Sequence, residues 1–162
     1  MTGALTMSQA HAVQTFDSAA SARGILRQIV PTGAQKVGLR VLVVEDDEAD
    51  AWLLGRVLQN DPRIGEVVHT CDGVEALEAI EGGGFAPDLA IVDLQMPKKN
   101  GFSLLLDLAA RDGTAFPVIV LTSSRHGADA LRARKRGAER FYTKPNTLEK
   151  LAEMLEPVIA DL

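Results

Sequence analysis

The segment from Leu89 to Pro97 constrains the fold more than any other part of the chain. It opens with the apolar residues Leu-Ala-Ile-Val and continues as Asp-Leu-Gln-Met-Pro, with the aspartate at position 93. A short apolar run with β-branched members is typical of a strand buried on both faces. A buried charge is costly unless it is paired, so we expect Asp93 at the exposed carboxyl edge of this strand, where open α/β sheets bind ligands. Asp93 is therefore the candidate reactive residue.

From Leu39 onward, strand patterns and helix patterns alternate five times. The predicted strands cover residues 39–44, 67–71, 89–93, 117–121 and 140–143. A predicted helix follows each of them, and these helices include 49–59, 147–160 and 127–136, of which the last is weak in bulky apolar residues and rich in arginine. The inward-facing positions predicted for three of the helices are Leu53, Leu54, Val57 and Leu58; Val74, Leu77 and Ile80; and Leu148, Leu151, Leu155 and Ile159. This alternation predicts a parallel sheet with crossover helices.

The first 38 residues differ from the rest of the chain because they hold few bulky apolar side chains. With 162 residues, of which 46% are apolar, the chain has room for one globular domain at 39–162 and a short N-terminal extension at 1–38. Within the extension, a helix could carry Ile25, Leu26 and Ile29 and end at Pro31. The alternative interpretation is a flexible tail.

Net charge and cysteine content narrow the class of protein. A formal net charge of -5 argues against nucleic acid as the main partner, because binding to phosphate backbones depends on positive charge. A single cysteine suits a reducing compartment. The sequence shows no signal-peptide pattern and no apolar run of transmembrane length, so we expect a cytoplasmic protein that does not act on a membrane.

Polar residues come directly after four of the five predicted strands. Glu45 and Asp46 follow the first, Asp93 the third, Thr122 the fourth and Lys144 the fifth. The carboxyl ends of parallel strands meet at one edge of the sheet, so these side chains should converge although they are far apart in sequence. The sequence therefore predicts a functional site at this edge.

The residue types at this edge indicate phosphoryl chemistry. Clustered carboxylates repel one another unless a cation lies between them, and Mg²⁺ prefers oxygen ligands. A lysine and a hydroxyl are suited to holding the oxygens of a phosphoryl group. One exposed carboxylate can then act as a nucleophile and form an acyl phosphate.

Four motifs in this order resemble the receiver domain of two-component response regulators. They are Val-Val-Glu45-Asp46, Asp93-Leu-Gln-Met-Pro97, Leu121-Thr122-Ser123 and Tyr142-Thr-Lys144-Pro145. The resemblance covers residues 39 to about 160. It implies an α/β fold of the flavodoxin-like, doubly wound (βα)5 type, with a parallel sheet in the order 2-1-3-4-5.

The resemblance also implies a role for each acidic residue. Asp93 would accept a phosphoryl group from a histidine kinase or a histidine phosphotransfer protein. Asp46, Asp93 and the backbone carbonyl of Gln95 would bind Mg²⁺, with Glu45 acting through water. Asp47 follows the pair and is expected to be a solvated charge at the start of a helix.

The remaining roles that the resemblance implies concern the switch. Lys144 would pair with the phosphoryl group and Thr122 would move towards it. The family's switch aromatic, three residues before the lysine, corresponds to Phe141, which lacks a hydroxyl. The segments 48–50 and 97–101 resemble single-domain regulators paired with phytochrome-type kinases. The function expected is a phospho-acceptor switch that changes affinity for an unknown downstream protein and is not itself an enzyme.

The sequence is also compatible with two other functions. The first is a phosphohydrolase of haloacid-dehalogenase type, which would normally carry a second carboxylate where this chain has Gln95. The second is a pseudo-receiver that binds partners without phosphorylation.

Two surface features also carry alternative interpretations. A basic cluster can be a solvated helix face, or a face for an acidic partner or a homodimer; its members are Arg125, Arg132, Arg134, Lys135, Arg136 and Arg140. Trp52 lies off the apolar stripe of its helix and could contact a kinase or pack under the extension. Lys98 and Lys99 are expected to be solvated loop charges.

Overall fold

The structure is a computed structural model that describes residues 27–28, 38–82, 85–111 and 116–162. Its strands are β1 (Arg27–Gln28), β2 (Leu39–Val44), β3 (Ile64–Thr70), β4 (Leu89–Val92), β5 (Val118–Thr122) and β6 (Arg140–Thr143). Its helices are α1 (Glu48–Asn60), α2 (Gly73–Glu81), α3 (Gly101–Ala109), α4 (Gly127–Arg134) and α5 (Leu148–Ala160). None of these helices combines the length and the hydropathy needed to cross a bilayer.

One sheet contains all six of these strands, in the order β1-β3-β2-β4-β5-β6. The five strands from β2 to β6 are parallel, and in their own chain order they give the arrangement 2-1-3-4-5. The predicted flavodoxin-like fold is therefore confirmed. The central position of β2, between β3 and β4, places the residues after β2 and β4 side by side.

The strand β1 belongs to the N-terminal extension and pairs antiparallel with β3. Arg27 lies opposite His69 and Gln28 opposite Val68. The helix predicted around Ile25, Leu26 and Ile29 is therefore wrong at residues 27 and 28, because the outer edge of β3 offers them backbone hydrogen bonds. The rest of that prediction lies outside the described residues.

The two faces of the sheet bury two separate cores. On one face, α2, α3 and α4 pack over side chains that include Leu42, Val92 and Val120. On the other face, α1 and α5 pack over side chains that include Val43 and Ile91. Successive residues of a strand point to opposite faces, so a strand buried between two helical layers is apolar at every position. This arrangement explains why the strands show no alternation of polar and apolar residues.

Polar side chains fix where most of the helices begin. Asp47 precedes α1 and its carboxylate accepts the backbone N–H groups of Ala49 and Asp50, each at 2.9 Å. Asp72, Asn100 and Thr147 cap α2, α3 and α5 in the same manner. Such caps satisfy N–H groups that have no partner within the helix.

One predicted inward position in each of two helices is exposed instead. In α2 the small residues Gly73, Ala76 and Ala79 face the sheet, while Val74 is 39% exposed. The other two predicted residues, Leu77 and Ile80, are partly buried and pack against the core. Leu148, predicted to point inward, is 38% exposed because it is the first residue of α5.

Candidate functional site

Three carboxylates meet at the carboxyl edge of the sheet, as the positions of β2 and β4 require. Oxygens of Glu45, Asp46 and Asp93 all lie within 4.8 Å of one another. Glu45 and Asp93 are buried, whereas Asp46 is exposed. The three residues therefore form a pocket that opens to solvent on the side of Asp46, with the donor type and spacing that a hard divalent cation needs.

Asp93 lies at the predicted edge, but its side chain is not exposed as expected, since only 6% of the residue is accessible. Its Oδ1 accepts the backbone N–H of Leu94 at 2.6 Å and that of Gln95 at 3.3 Å. These donors come from the turn that follows β4, and they hold the carboxylate in one orientation. The surroundings of the buried Asp93 carboxylate are polar, because charged groups and backbone amides lie next to it.

Lys144 joins the acidic residues through a single ammonium group. Its Nζ lies 2.6 Å from Glu45 Oε2, 2.7 Å from Asp50 Oδ2 and 3.1 Å from Asp93 Oδ2. An ammonium has three N–H donors, so three carboxylates can engage all of them. The lysine side chain is only 13% exposed. Its positive charge is thus held beside Asp93.

Burial and ion pairing act in opposite directions on the ionisable groups of this pocket. Burial raises the pKa of Glu45 to about 7, although the hydrogen bond from Lys144 and its charge pull that pKa down. Burial alone would lower the pKa of Lys144, but the bonds to Asp50 and Glu45 outweigh it and raise the pKa above the usual lysine range. Lys144 is therefore charged at neutral pH.

Thr122 is the last residue of β5 and is fully buried next to the start of the β5–α4 loop. Its Oγ1 accepts the N–H of Ser124 at 3.4 Å, and its carbonyl accepts the N–H of Lys144 at 2.9 Å. The hydroxyl of Ser124 in turn donates to Asp129 of α4 at 2.5 Å. The hydroxyl of Thr122 thus lies at the start of a chain of contacts that leads from the sheet edge to α4.

Phe141 lies in β6 and Gln95 in the β4–α3 loop. Phe141 is half-buried in β6 and packs against the core formed with α2, α3 and α4. Tyr142, the next residue, packs on the opposite core. Gln95 is exposed in the β4–α3 loop, directly after the turn that holds Asp93.

The β4–α3 loop is fastened to its neighbours by contacts that the sequence did not predict. Lys98 has a φ of 54°, and its Nζ lies 2.6 Å from the carboxylate of Asp72, which is 1% exposed. This ion pair lowers the pKa of Asp72 although burial alone would raise it. Lys99 pairs with Asp107. Neither lysine is therefore simply a solvated charge.

Two more residues of the site could not be found from strand ends alone. Asp50 lies in the first turn of α1, and His69 is buried in β3, where its Nε2 is 2.7 Å from the carbonyl oxygen of Glu45. A signal for Asp50 exists in its spacing, because a first-turn helical residue faces back towards the strand end that precedes it. His69 carries no such signal, since its neighbour is a backbone oxygen.

Other features lie away from this edge. A groove of about 660 Å³ includes Leu39, Phe85, Pro117 and Arg140, near the amino ends of the parallel strands. The arginines of the predicted basic cluster have different partners. Arg140 pairs with Asp161. Arg132 and Arg136 lie over the ring of Phe102, at 4.1 and 5.8 Å from its centre. Trp52 is 46% exposed.

The fold and this edge together define a class of protein. Doubly wound sheets bind their ligands at the carboxyl ends of the strands, and here that edge carries an acidic pocket, a buried threonine and a lysine. The family model of the response regulator receiver domain matches residues 41–156. The chain therefore belongs to the response regulator receiver domain family.

Individual relatives agree with this assignment. The chain is 38% identical to the Regulator of RpoS of Escherichia coli over 121 residues, which are 74% of this chain and 34% of that protein. The chain thus spans about a third of the length of that curated relative.

Solved structures show the same fold. The phosphorylated cyanobacterial phytochrome response regulator RcpA superimposes with a TM-score of 0.69 and 29% identity, covering 75% of this chain and 91% of RcpA. The Mn²⁺-bound form of response regulator Rcp1 gives a TM-score of 0.67 and 27% identity, over 74% and 91% of the two chains.

Family membership carries general consequences. Receiver domains belong to two-component signalling, act in general as signalling switches and receive phosphoryl groups from histidine kinases. They bind Mg²⁺ or Mn²⁺ in an acidic pocket, and Glu45, Asp46 and Asp93 form a candidate pocket of this kind.

Proposed function

We propose that the chain is a phospho-acceptor switch in which Asp93 takes a phosphoryl group from a histidine kinase or a histidine phosphotransfer protein. The observation that carries the proposal is the position of Asp93, which contacts the Lys144 ammonium and lies within 4.8 Å of two further carboxylates. A cation pocket, a lysine and a nucleophilic carboxylate are the groups that phosphoryl transfer to an aspartate requires.

The donor set of the acidic pocket fits Mg²⁺. Asp46, Asp93 and the backbone carbonyl of Gln95 would hold the ion, with Glu45 acting through water, and all the donors are oxygens. When bound, Mg²⁺ supplies positive charge that offsets the charge of the phosphoryl oxygens. The exposed side of the pocket at Asp46 gives access from solvent.

The chain's own residues support the transfer in three ways. The N–H groups of Leu94 and Gln95 orient the Asp93 carboxylate, one oxygen of which attacks the phosphorus atom of the donor's phosphohistidine. An O–P bond forms, the N–P bond breaks, and its electron pair returns to the imidazole ring, which takes up a proton from solvent and leaves as neutral histidine. Lys144 is charged and within reach of the Asp93 oxygen, so it can hold an oxygen of the transferred group.

The switch would follow from local electrostatics. A phosphoryl group on Asp93 attracts the hydroxyl of Thr122, and movement of Thr122 disturbs the contacts of Ser124 with Asp129 on α4. Phe141 then repacks in β6. The surface formed by α4 and β6 thereby changes its affinity for a downstream protein, to the extent that phosphorylation favours one conformation over the other.

The similarity of the chain to the cyanobacterial phytochrome response regulator RcpA supports a phytochrome-type kinase as the class of donor. That similarity extends over 91% of RcpA.

A direct test is phosphorylation by a small-molecule phosphodonor with detection by intact mass spectrometry. We expect one added phosphoryl group in the presence of Mg²⁺, none with a chelator, and none in D93N, in which an amide replaces the nucleophile. Failure of the unchanged protein to take up the group would favour a phosphorylation-independent binding module. Sustained turnover of a phosphomonoester would favour the haloacid-dehalogenase type of phosphohydrolase.

A further inference from the structure

Asp50 is a fourth carboxylate at this site and stands apart from the other three. It lies in the first turn of α1, three residues after the cap Asp47, and its side chain is 38% exposed. Glu45, Asp46 and Asp93 form the candidate cation pocket, of which Asp50 is not a member. Its ion-pair partner is Lys144, at 2.7 Å. Its contact with the site therefore passes through the lysine.

The three contacts of Lys144 cannot all persist once a phosphoryl group is present. Glu45, Asp50 and Asp93 already engage the three donors of the ammonium. A further acceptor oxygen must take over one of these donors. Glu45 and Asp93 are buried in the pocket, whereas Asp50 is half-exposed and can exchange its contact with the lysine for contacts with water. Asp50 is the partner that is released at the lowest cost.

We propose that Asp50 is a positioning residue that competes with the phosphoryl group for Lys144 and so weakens retention of that group on Asp93. The inference rests on the proposed function. Two effects act in the same direction. The carboxylate holds a donor that the phosphoryl oxygens need, and its negative charge adds to the repulsion that an incoming anion meets. Replacing Asp50 by the isosteric, uncharged asparagine removes the added negative charge and weakens the competition for the donor, because an amide oxygen is a poorer acceptor for an ammonium than a carboxylate is.

The test is calorimetric titration with beryllofluoride, a non-covalent mimic of the phosphoryl group, at a fixed Mg²⁺ concentration. D50N should bind beryllofluoride about threefold more tightly than the unchanged chain, the size expected for a partly exposed ion pair. D50E restores the carboxylate and should bring the affinity back towards that of the unchanged chain. A structural role alone would not give tighter binding in D50N and its reversal in D50E.

The matched control is E48Q, which removes one negative charge from the same turn of α1. It should change the beryllofluoride affinity less than D50N does, and urea unfolding should show both variants folded. Equal affinity in D50N and the unchanged chain, weaker binding in D50N, or an equal gain in E48Q would each overturn the inference. Absence of beryllofluoride binding in the unchanged chain would instead contradict the proposed function.

Discussion

Gly101 begins α3 against the backbone at the carboxyl end of β4. A Cβ atom at this position would overlap the carbonyl oxygen of Asp93 and lie 2.8 Å from the Cα of Leu94. Both obstacles are backbone atoms of the turn that orients the Asp93 carboxylate, so they cannot move without disturbing the site. The absence of a side chain at residue 101 therefore helps to determine where the candidate nucleophile lies.

We expect G101A to lower the free energy of unfolding by about 3 kcal/mol, the upper range for overpacking a well-packed position. Urea unfolding at neutral pH measures this change. The matched control is G127A at the start of α4, where a Cβ would meet nothing within 4 Å. G127A should alter the free energy by less than about 1 kcal/mol. Similar losses in the two variants would contradict the proposed role of the contact at Gly101.

The ion pair of Asp72 with Lys98 links the start of α2 to the β4–α3 loop. The pKa of Asp72 is lowered, so its carboxylate stabilises the fold above the ordinary carboxyl pKa, and this stabilisation is lost as the pH falls through the lowered pKa. D72N keeps a side chain that can cap α2 but removes the charge. We expect D72N to be less stable than the unchanged chain at pH 7, with the difference shrinking in acid. Urea unfolding from pH 3 to pH 7 tests this, and a difference independent of pH would count against the ion pair.

At the scale of single elements, α3 shows how sharply the environment changes between neighbouring residues. Leu105 is 1% exposed and packs in the core beneath the sheet, whereas Leu106 is 52% exposed. Removing the buried side chain leaves a cavity, and removing the exposed one does not. We expect L105A to cost about 3 kcal/mol and L106A less than about 1 kcal/mol. Thermal or urea unfolding of the pair checks the orientation of the helix, and equal costs would contradict it.

The type and order of the helices and of five strands could be predicted from sequence, but some helix faces could not. In α1 the predicted stripe contains the buried residues Leu54 and Leu58. In α2 two of the three predicted residues, Leu77 and Ile80, pack against the core but are only partly buried, whereas the small residues Ala76 and Ala79 are fully buried. Side-chain size indicates burial only when the distance between layers leaves room for the side chain. That distance depends on the whole sheet.

In the candidate site, too, some residues could be predicted from the sequence and others were not. The residues at strand ends, such as Glu45 and Lys144, could be predicted because parallel strands bring their carboxyl ends together. Asp50 and Asp72 were not predicted, since strand ends give no signal for residues that come close to their partners through a loop or a helix turn. Their ion pairs with Lys144 and Lys98 span 94 and 26 residues of sequence. The two-residue strand β1 was missed as well, because it has too few residues to form a periodic pattern.

For the molecule as a whole, Glu45 makes stability depend on pH in the direction opposite to Asp72. Its pKa is raised from the ordinary value to about 7, so the folded state binds its proton more tightly than the unfolded chain does. Stability in the absence of a divalent cation should therefore fall as the pH rises from about 4.5 to about 7, by about 3 kcal/mol from this group alone.

The measurement is urea unfolding of the chelator-treated protein across this pH range, compared with E45Q. The glutamine variant has no carboxyl group at this position to titrate, so its profile should be flatter by the amount that Glu45 contributes. A profile that rises with pH to the same extent in both proteins would show that Glu45 is not held in a raised-pKa environment.

The strand β4 is four residues long and separates two cores, with Ala90 facing one and Ile91 the other. Inserting one residue before Asp93 would turn every later side chain of the strand to the opposite face, including the carboxylate itself. Substitutions that preserve apolar character can be absorbed here one at a time, whereas a change in the number of residues cannot. We therefore expect this strand to vary in composition among functional variants but to keep a constant length.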